Sequence, residues 1–241
     1  MKERPILMSA PMVLAILAGT KKQTRRTVKP QPYQSEYEPA LLHYDDVLKA
    51  PWVGTDGVKV PKGTHYHATT TTEGFAKRCP YGQPGDRLWV RESLQYDSEY
   101  GHLYAAGGQH GQTVYLCSLF DDEDAQTGYS YDGLLPERSV PSIHLPRRYS
   151  RLLLEITAVR VERLQSISEA DAVAEGIERA NDFFNCPCWK SYTKGEEQAV
   201  VFPDDPIGSY HSLWESINGP DSWAANPWVW VVEFKRLEVD Q

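Results

Sequence analysis

"RLLLEITAVRVERLQSISEADAVAEGI", residues 151–177, decides how the rest of the chain is read. Residues 151–164 mix β-branched and charged side chains, which suits a long strand with one buried and one exposed face. Ser168 then stands where a helix N-cap belongs, Asp171 follows as a variant of the capping box, and Gly176 ends the helix. Further on, "PIGSYHSLWESING" (206–219) sets Tyr210, Leu213, Trp214 and Ile217 at helical spacing, and "NPWVWVVEFKRLEV" reads as a closing strand.

Toward the N-terminus, "YGQPGDRLWVRE" (81–92) joins a turn at Pro84-Gly85-Asp86 to an alternating, period-2 strand. "PILMS" (5–9) reads as another strand. Ser9 is placed to cap a helix with Met12, Val13, Ile16 and Leu17 on one face, and Gly19 to stop it. Between these blocks, residues 31–78, 96–140 and 179–205 show little periodicity and read as loop-rich insertions in a single domain spanning 1–241. Long strands with few helices and no βαβ alternation predict an α+β fold, a mixed β-barrel with flanking helices.

The composition is that of an acidic globular chain with a net charge of -8, unusually rich in Tyr and Trp. No apolar run approaches the roughly 18 to 20 residues that span a bilayer. The opening "MKERPILMSAPMVLAILAG" has the basic-then-apolar order of a signal peptide. Pro5 and Pro11 interrupt it, however, and cations stand where a cleavage site belongs, so a cytoplasmic protein is expected. In that compartment Cys79, Cys117, Cys186 and Cys188 are expected as buried thiols, with zinc ligation the alternative. "HYH" (65–67) sets two imidazoles on one side of a strand, without the spacing of a known metal motif. No glycine-rich phosphate loop occurs, and neither metal nor cofactor is expected.

The sharpest chemical feature is "LAGTKKQTRR" (17–26), where Lys21, Lys22, Arg25 and Arg26 crowd an acidic chain just after a helix. Interaction with the helix dipole accounts for one or two of these cations, not for all. The blocks "ILAGTKKQTRR", "PGDRLWVRE", "EITAVRVERLQSISEADAVAEGI" and "WVWVVEFKRL", in this order, resemble the ASCH family of the PUA-like superfamily, and more narrowly its longer phage and prophage members. The resemblance implies a PUA-like β-barrel with a basic cleft for RNA or a modified nucleoside, in a bacterial cytoplasm. Small members of the family are metal-independent amidohydrolases that deacetylate 4-acetylcytidine. Carried over by motif, Lys21 and Thr24 match the family's Lys-x-x-Thr pair and Glu175 its catalytic carboxylate.

Read as chemistry, amide hydrolysis needs a nucleophile, a proton acceptor and donor, and a group to hold an oxyanion. Lys21 would take the proton of Thr24 or of a water, its own charge disfavoured by Lys22, Arg25 and Arg26, while Glu175 protonates the leaving amine. On that reading, Lys21→Ala and Glu175→Ala each lose hydrolysis without unfolding. Lys22, Arg25, Arg26, Arg147 and Arg148 are the expected substrate-binding cations. Each has a plainer alternative: Lys21 as a helix-end cation, Thr24 as a turn residue, Glu175 as a solvated carboxylate, Arg26 as a partner of Glu92 or Glu155. Functionally, the alternatives are a non-catalytic nucleic-acid-binding module, with "HLPRRYSR" (144–151) and "AKRCPYG" (76–82) joining one positive face, or a ribonuclease.

Overall fold

The structure, a computed structural model, describes residues 1–53, 58–116, 135–180, 188–193 and 201–237. β1 (Glu3–Leu7) leads through α1 (Ala10–Leu17) into β2 (Gln23–Thr27). The first insertion supplies β3 (Tyr33–Ser35), β4 (Glu38–Val47), β5 (Trp52–Val53), β6 (Lys59–Val60), β7 (His65–Thr70) and α2 (Thr72–Ala76). β8 (Arg87–Arg91) is followed by a hairpin of β9 (Leu94–Asp97) and β10 (Gly101–Tyr104), then by β11 (Leu153–Arg163) and α3 (Glu169–Ala174). β12 (Cys188–Lys190) pairs with β13 (Val201–Pro203), and α4 (Pro206–Asn218) and β14 (Trp228–Leu237) complete the order.

Five of these strands form one mixed sheet, in spatial order β1-β8-β11-β14-β2. β1 runs parallel to β8 and every other pairing is antiparallel. Each face of the sheet carries a core. Trp228, Trp230, Val232 and Phe234 of β14 pack with Ile6, Leu88 and Ile156, under Val13 and Ile16 of α1 and Phe75 of α2. Val229 and Val231 point the other way, into a second core with Ile167, Ala172, Tyr210 and Trp214 from the α3 and α4 side. Coverage of both faces explains the unbroken apolar run "WVWVV". It also explains why Leu88, Trp89 and Val90 are buried consecutively, where the sequence predicts alternation: β8 is an interior strand.

The α+β class stands, but the expected closed barrel does not form among the described residues. β1 and β2 are open edges of the ladder. α1 fills the connection between them, with Val13 and Ile16 buried in the same core as Ile6. Across the gap, the Arg26 guanidinium of β2 donates to the Leu7 carbonyl at the end of β1.

The first insertion is more ordered than its sequence suggests. β3, β4 and β7 form a three-stranded antiparallel sheet, and Leu42, Phe75 and Ala76 anchor it in the main core. On this sheet His67 stacks with His43 rather than pairing with His65, and Tyr33 joins the stack. No group of three metal-ligating side chains occurs among the described residues. In the second insertion, Leu94, Tyr104, Val140, Leu145 and Tyr149 make a satellite core. Cys79 and Cys188 are buried, while Cys117 and Cys186 lie outside the described residues. No helix among those residues is long and apolar enough to cross a membrane.

Candidate active site

Two stretches 154 residues apart meet where α3 ends against the start of β2. Ser168 caps α3 by accepting the Asp171 N–H at 3.2 Å. The chain then turns at Gly176, whose φ of +83° favours glycine. A Cβ at Gly176 would lie 2.8 Å from the Lys21 Cβ and 2.9 Å from the Ala15 Cβ, so the bare backbone permits the approach. Main-chain bonds hold it: the Lys22 N–H donates to the Ala174 carbonyl at 2.8 Å, and the Lys21 N–H to the Ala15 carbonyl at 3.0 Å.

This brings Lys21 and Glu175 together in the interior. Lys21 Nζ donates to the Glu175 carbonyl at 2.7 Å and to its Oε2 at 3.1 Å, with both side chains no more than 4% exposed. Arg25 Nη1 donates to the other carboxylate oxygen at 3.1 Å. Its Nη2 reaches Glu162 at 2.6 Å and Asp171 at 3.1 Å. Arg160 bonds the same two acids, at 3.0 and 2.8 Å, and Glu233 as well. Strand order makes this network possible, because Val231 of β14 stands opposite both Arg160 of β11 and Arg25 of β2.

The electrostatics follow from burial. Loss of solvent pulls the Lys21 ammonium below its ordinary pKa; Glu175 opposes this, and Arg26 and Arg25 add to it. Burial also disfavours the Arg25 charge, but Glu175 and its other partners outweigh that and hold the guanidinium ionised. Tyr210 is pushed well above its usual value, by burial first and by Glu175 second.

Asp171 gives a pH test. Burial would raise its pKa, but Arg160 and Arg25 outweigh burial and hold the carboxyl below the ordinary range. A depressed folded-state pKa adds stability that is present above the unfolded value and is lost as pH falls through the folded one. The Asp171→Asn variant should therefore show a flatter loss of stability below about pH 4 than the wild type. Urea unfolding between pH 3 and 7 measures the difference. The slope that remains is expected from Asp46 and Asp86, also held low by their own partners.

A cavity of about 50 Å³ lies beside the network, at the open β2 edge. Thr24, Arg25 and Arg26 of β2, Glu175, and Tyr210 and Trp214 of α4 are among its walls. Lys21 is not; it stands behind Glu175 and reaches the cavity through that carboxylate. The hydroxyls of Thr24 and Tyr210 have no hydrogen-bond partner among the described residues. The Nε atoms of Arg25 and Arg26 and the Nε1 of Trp214 are buried without one. These three nitrogens have almost no accessible surface and sit within the packing around the cavity.

No protein-family model, curated protein or solved structure matches this chain. The chemistry rests on the geometry of the site itself.

The structure distributes the remaining candidate residues differently from the sequence reading. Lys22 is exposed, fixed only through its backbone. Arg25, expected to bind substrate, is instead engaged by three carboxylates. Arg26 pairs with neither Glu92, which Arg151 binds, nor Glu155, which Lys235 binds. Arg147 is held by Glu3 at 2.9 Å, and Arg148 lies over the Tyr149 ring at 4.8 Å. Arg78 pairs with Asp46. Arg25, Arg78 and Arg147 are thus paired with acids and Arg148 lies over a ring, while Lys22 is exposed and Arg26 donates to a backbone carbonyl. Sequence reading missed Arg160, Glu162, Asp171 and Tyr210 as members of the site. Arg160 and Glu162 carried a usable signal, since i, i+2 residues of a strand share a face; Tyr210 reads only as core.

Proposed function

We propose that this protein is a metal-independent amidohydrolase that removes a small acyl group from the exocyclic amine of a nucleoside, with 4-acetylcytidine as the sharpest candidate substrate. One observation carries the reading: Thr24 and Glu175, the latter bonded to a buried Lys21, both line one small cavity at the β2 edge. The resemblance of the four sequence blocks to the ASCH family supports it, and we read the curled five-stranded sheet as a PUA-like core whose ladder stays open.

In the reaction, the acyl group enters the cavity with its carbonyl oxygen toward Arg25 and Arg26. The Thr24 hydroxyl adds to the carbonyl carbon and its proton passes to the Lys21–Glu175 pair, where burial lowers the Lys21 pKa. The oxyanion is held by the guanidinium groups of Arg25 and Arg26, residues that line the cavity. On collapse the C–N bond breaks and Glu175 returns the proton to the leaving amine. Water then cleaves the Thr24 ester by the same route in reverse, releasing the carboxylic acid.

Non-catalytic phosphate binding and RNA cleavage would need cations free to meet phosphates, whereas most of these are committed to carboxylates. Incubation of the purified protein with 4-acetylcytidine and with unmodified RNA separates the three. Cytidine and acetate in equal amounts, with the RNA intact, are expected; shortened RNA, or binding with no free cytidine, defeats the proposal.

A further inference from the structure

The first insertion builds a second, larger pocket directly beside the small cavity. Its volume is about 360 Å³, within the range of ligand sites. Thr27 borders both hollows, so they follow one another along β2. Phe75 and Trp230, stacked at 5.1 Å and 8° between planes, line the second pocket, and Tyr44 stands edge-on to Phe75 at 5.0 Å. Tyr81 completes the aromatic wall. Its hydroxyl has no hydrogen-bond partner among the described residues, and its ring lies near enough to Arg26 to interact with that charge.

The polar groups of this pocket are nearly neutral in sum. Arg78 lies over the Tyr44 ring at 4.6 Å and is paired with Asp46, which also accepts from the Tyr66 hydroxyl at 3.0 Å. Asp45 also lines the pocket, and Lys29 is exposed at its rim. Such walls offer a phosphate no net attraction and suit a flat, uncharged ring with hydrogen-bonding edges. An aliphatic guest would leave the Tyr81 hydroxyl without a partner.

We propose that this pocket holds the nucleobase adjacent to the reacting nucleoside, so that the substrate is a nucleotide within a single polynucleotide strand. The inference rests on the amidohydrolase reading only for what occupies the smaller cavity. The base stacks on Tyr44 or Tyr81 while Lys29 meets the linking phosphate. Because stacking leads and few cations take part, affinity should depend only weakly on salt, unlike that of a protein that coats a strand by charge.

The test is fluorescence anisotropy with labelled, unmodified five-nucleotide strands, one arm RNA and one DNA. Wild-type protein is expected to bind, and Tyr44→Ala and Tyr81→Ala each to weaken binding at least about fivefold, the low end for one stacked base. Tyr44→Phe and Tyr81→Phe keep the ring and should retain affinity even if an Ala variant folds poorly; Lys29→Glu should weaken it. Tyr37→Ala, at a position 95% exposed on the same insertion, should change nothing. The slope of log affinity against log salt should correspond to one or two phosphates, at about −0.7 each. Binding of either strand in this pattern supports the pocket, and the two arms show which sugar it accepts. No binding of either strand, equal affinity in the wild type and well-folded Ala variants, or a slope steeper than about −2 overturns it. Since these strands carry no amide, the result stands whether or not acetylcytidine is hydrolysed.

Discussion

Replacing Glu175 with Ala is expected to cost about 3–5 kcal/mol of folding stability, the range for leaving a buried charge without its partner. The carboxylate serves two cations at once, Lys21 at 3.1 Å and Arg25 at 3.1 Å. Their losses are unequal. Arg25 keeps Glu162 and Asp171, whereas Lys21 keeps only the carbonyl of residue 175 and is almost wholly buried. Most of the cost should therefore come from Lys21, and adding Lys21→Met to Glu175→Ala should recover much of it, because the paired removal of both charges avoids the stranded ammonium. Urea unfolding of the two single variants and the double variant measures this as a coupling energy. A loss below about 1 kcal/mol for Glu175→Ala would show that water reaches the pair. The sequence reading expects the same substitution to abolish hydrolysis without unfolding. Burial revises that expectation and makes Glu175→Gln, which keeps the volume and one acceptor oxygen, the better probe of catalysis.

That revision shows where sequence reading stops. The ends of α1 and α3 were legible because glycines and a capping serine mark them locally, at Gly19, Ser168 and Gly176. Lys21, Thr24 and Glu175 were joined as one site only by what the family resemblance implies, since spacing alone does not bring residues so far apart together. The acids around Arg25 were not legible. Glu162 becomes its neighbour only because β14 lies between β11 and β2, and that lateral order leaves no trace in the periodicity of any one strand. Charge counting erred for the same reason: "KKQTRR" reads as a positive surface until strand pairing sets acids beside Arg25. The strand β4, "EPALLHYDDV", was hidden differently. It forms part of a small separate sheet with only Leu42 and His43 buried, so it lacks the alternation of a strand lying on a large core. In α4, Tyr210 and Trp214 were read as core, and they are buried. Nothing in helical spacing could show that they also wall a cavity.

Thr24→Val should reduce amide hydrolysis at least about 10³-fold while leaving the protein as stable as the wild type or slightly more so. The two halves of this expectation have separate origins. Valine matches threonine in shape and branching, and residue 24 is a buried strand position opposite Val232 of β14, so the backbone and the packing persist. The hydroxyl that is lost makes no hydrogen bond among the described residues, so its removal strands no partner. A side chain with only a structural duty would show the opposite, a stability loss with turnover kept. Thr24→Ser restores the nucleophile and should recover most of the turnover, although serine leaves a methyl-sized gap in the wall. Rates for the three proteins on 4-acetylcytidine, set beside their urea midpoints, decide the point. If the Val variant keeps wild-type turnover, attack comes from a water activated by the Lys21–Glu175 pair. If instead the Val variant unfolds more readily than the wild type, the hydroxyl holds the β2 edge together and the cavity has no nucleophile of its own.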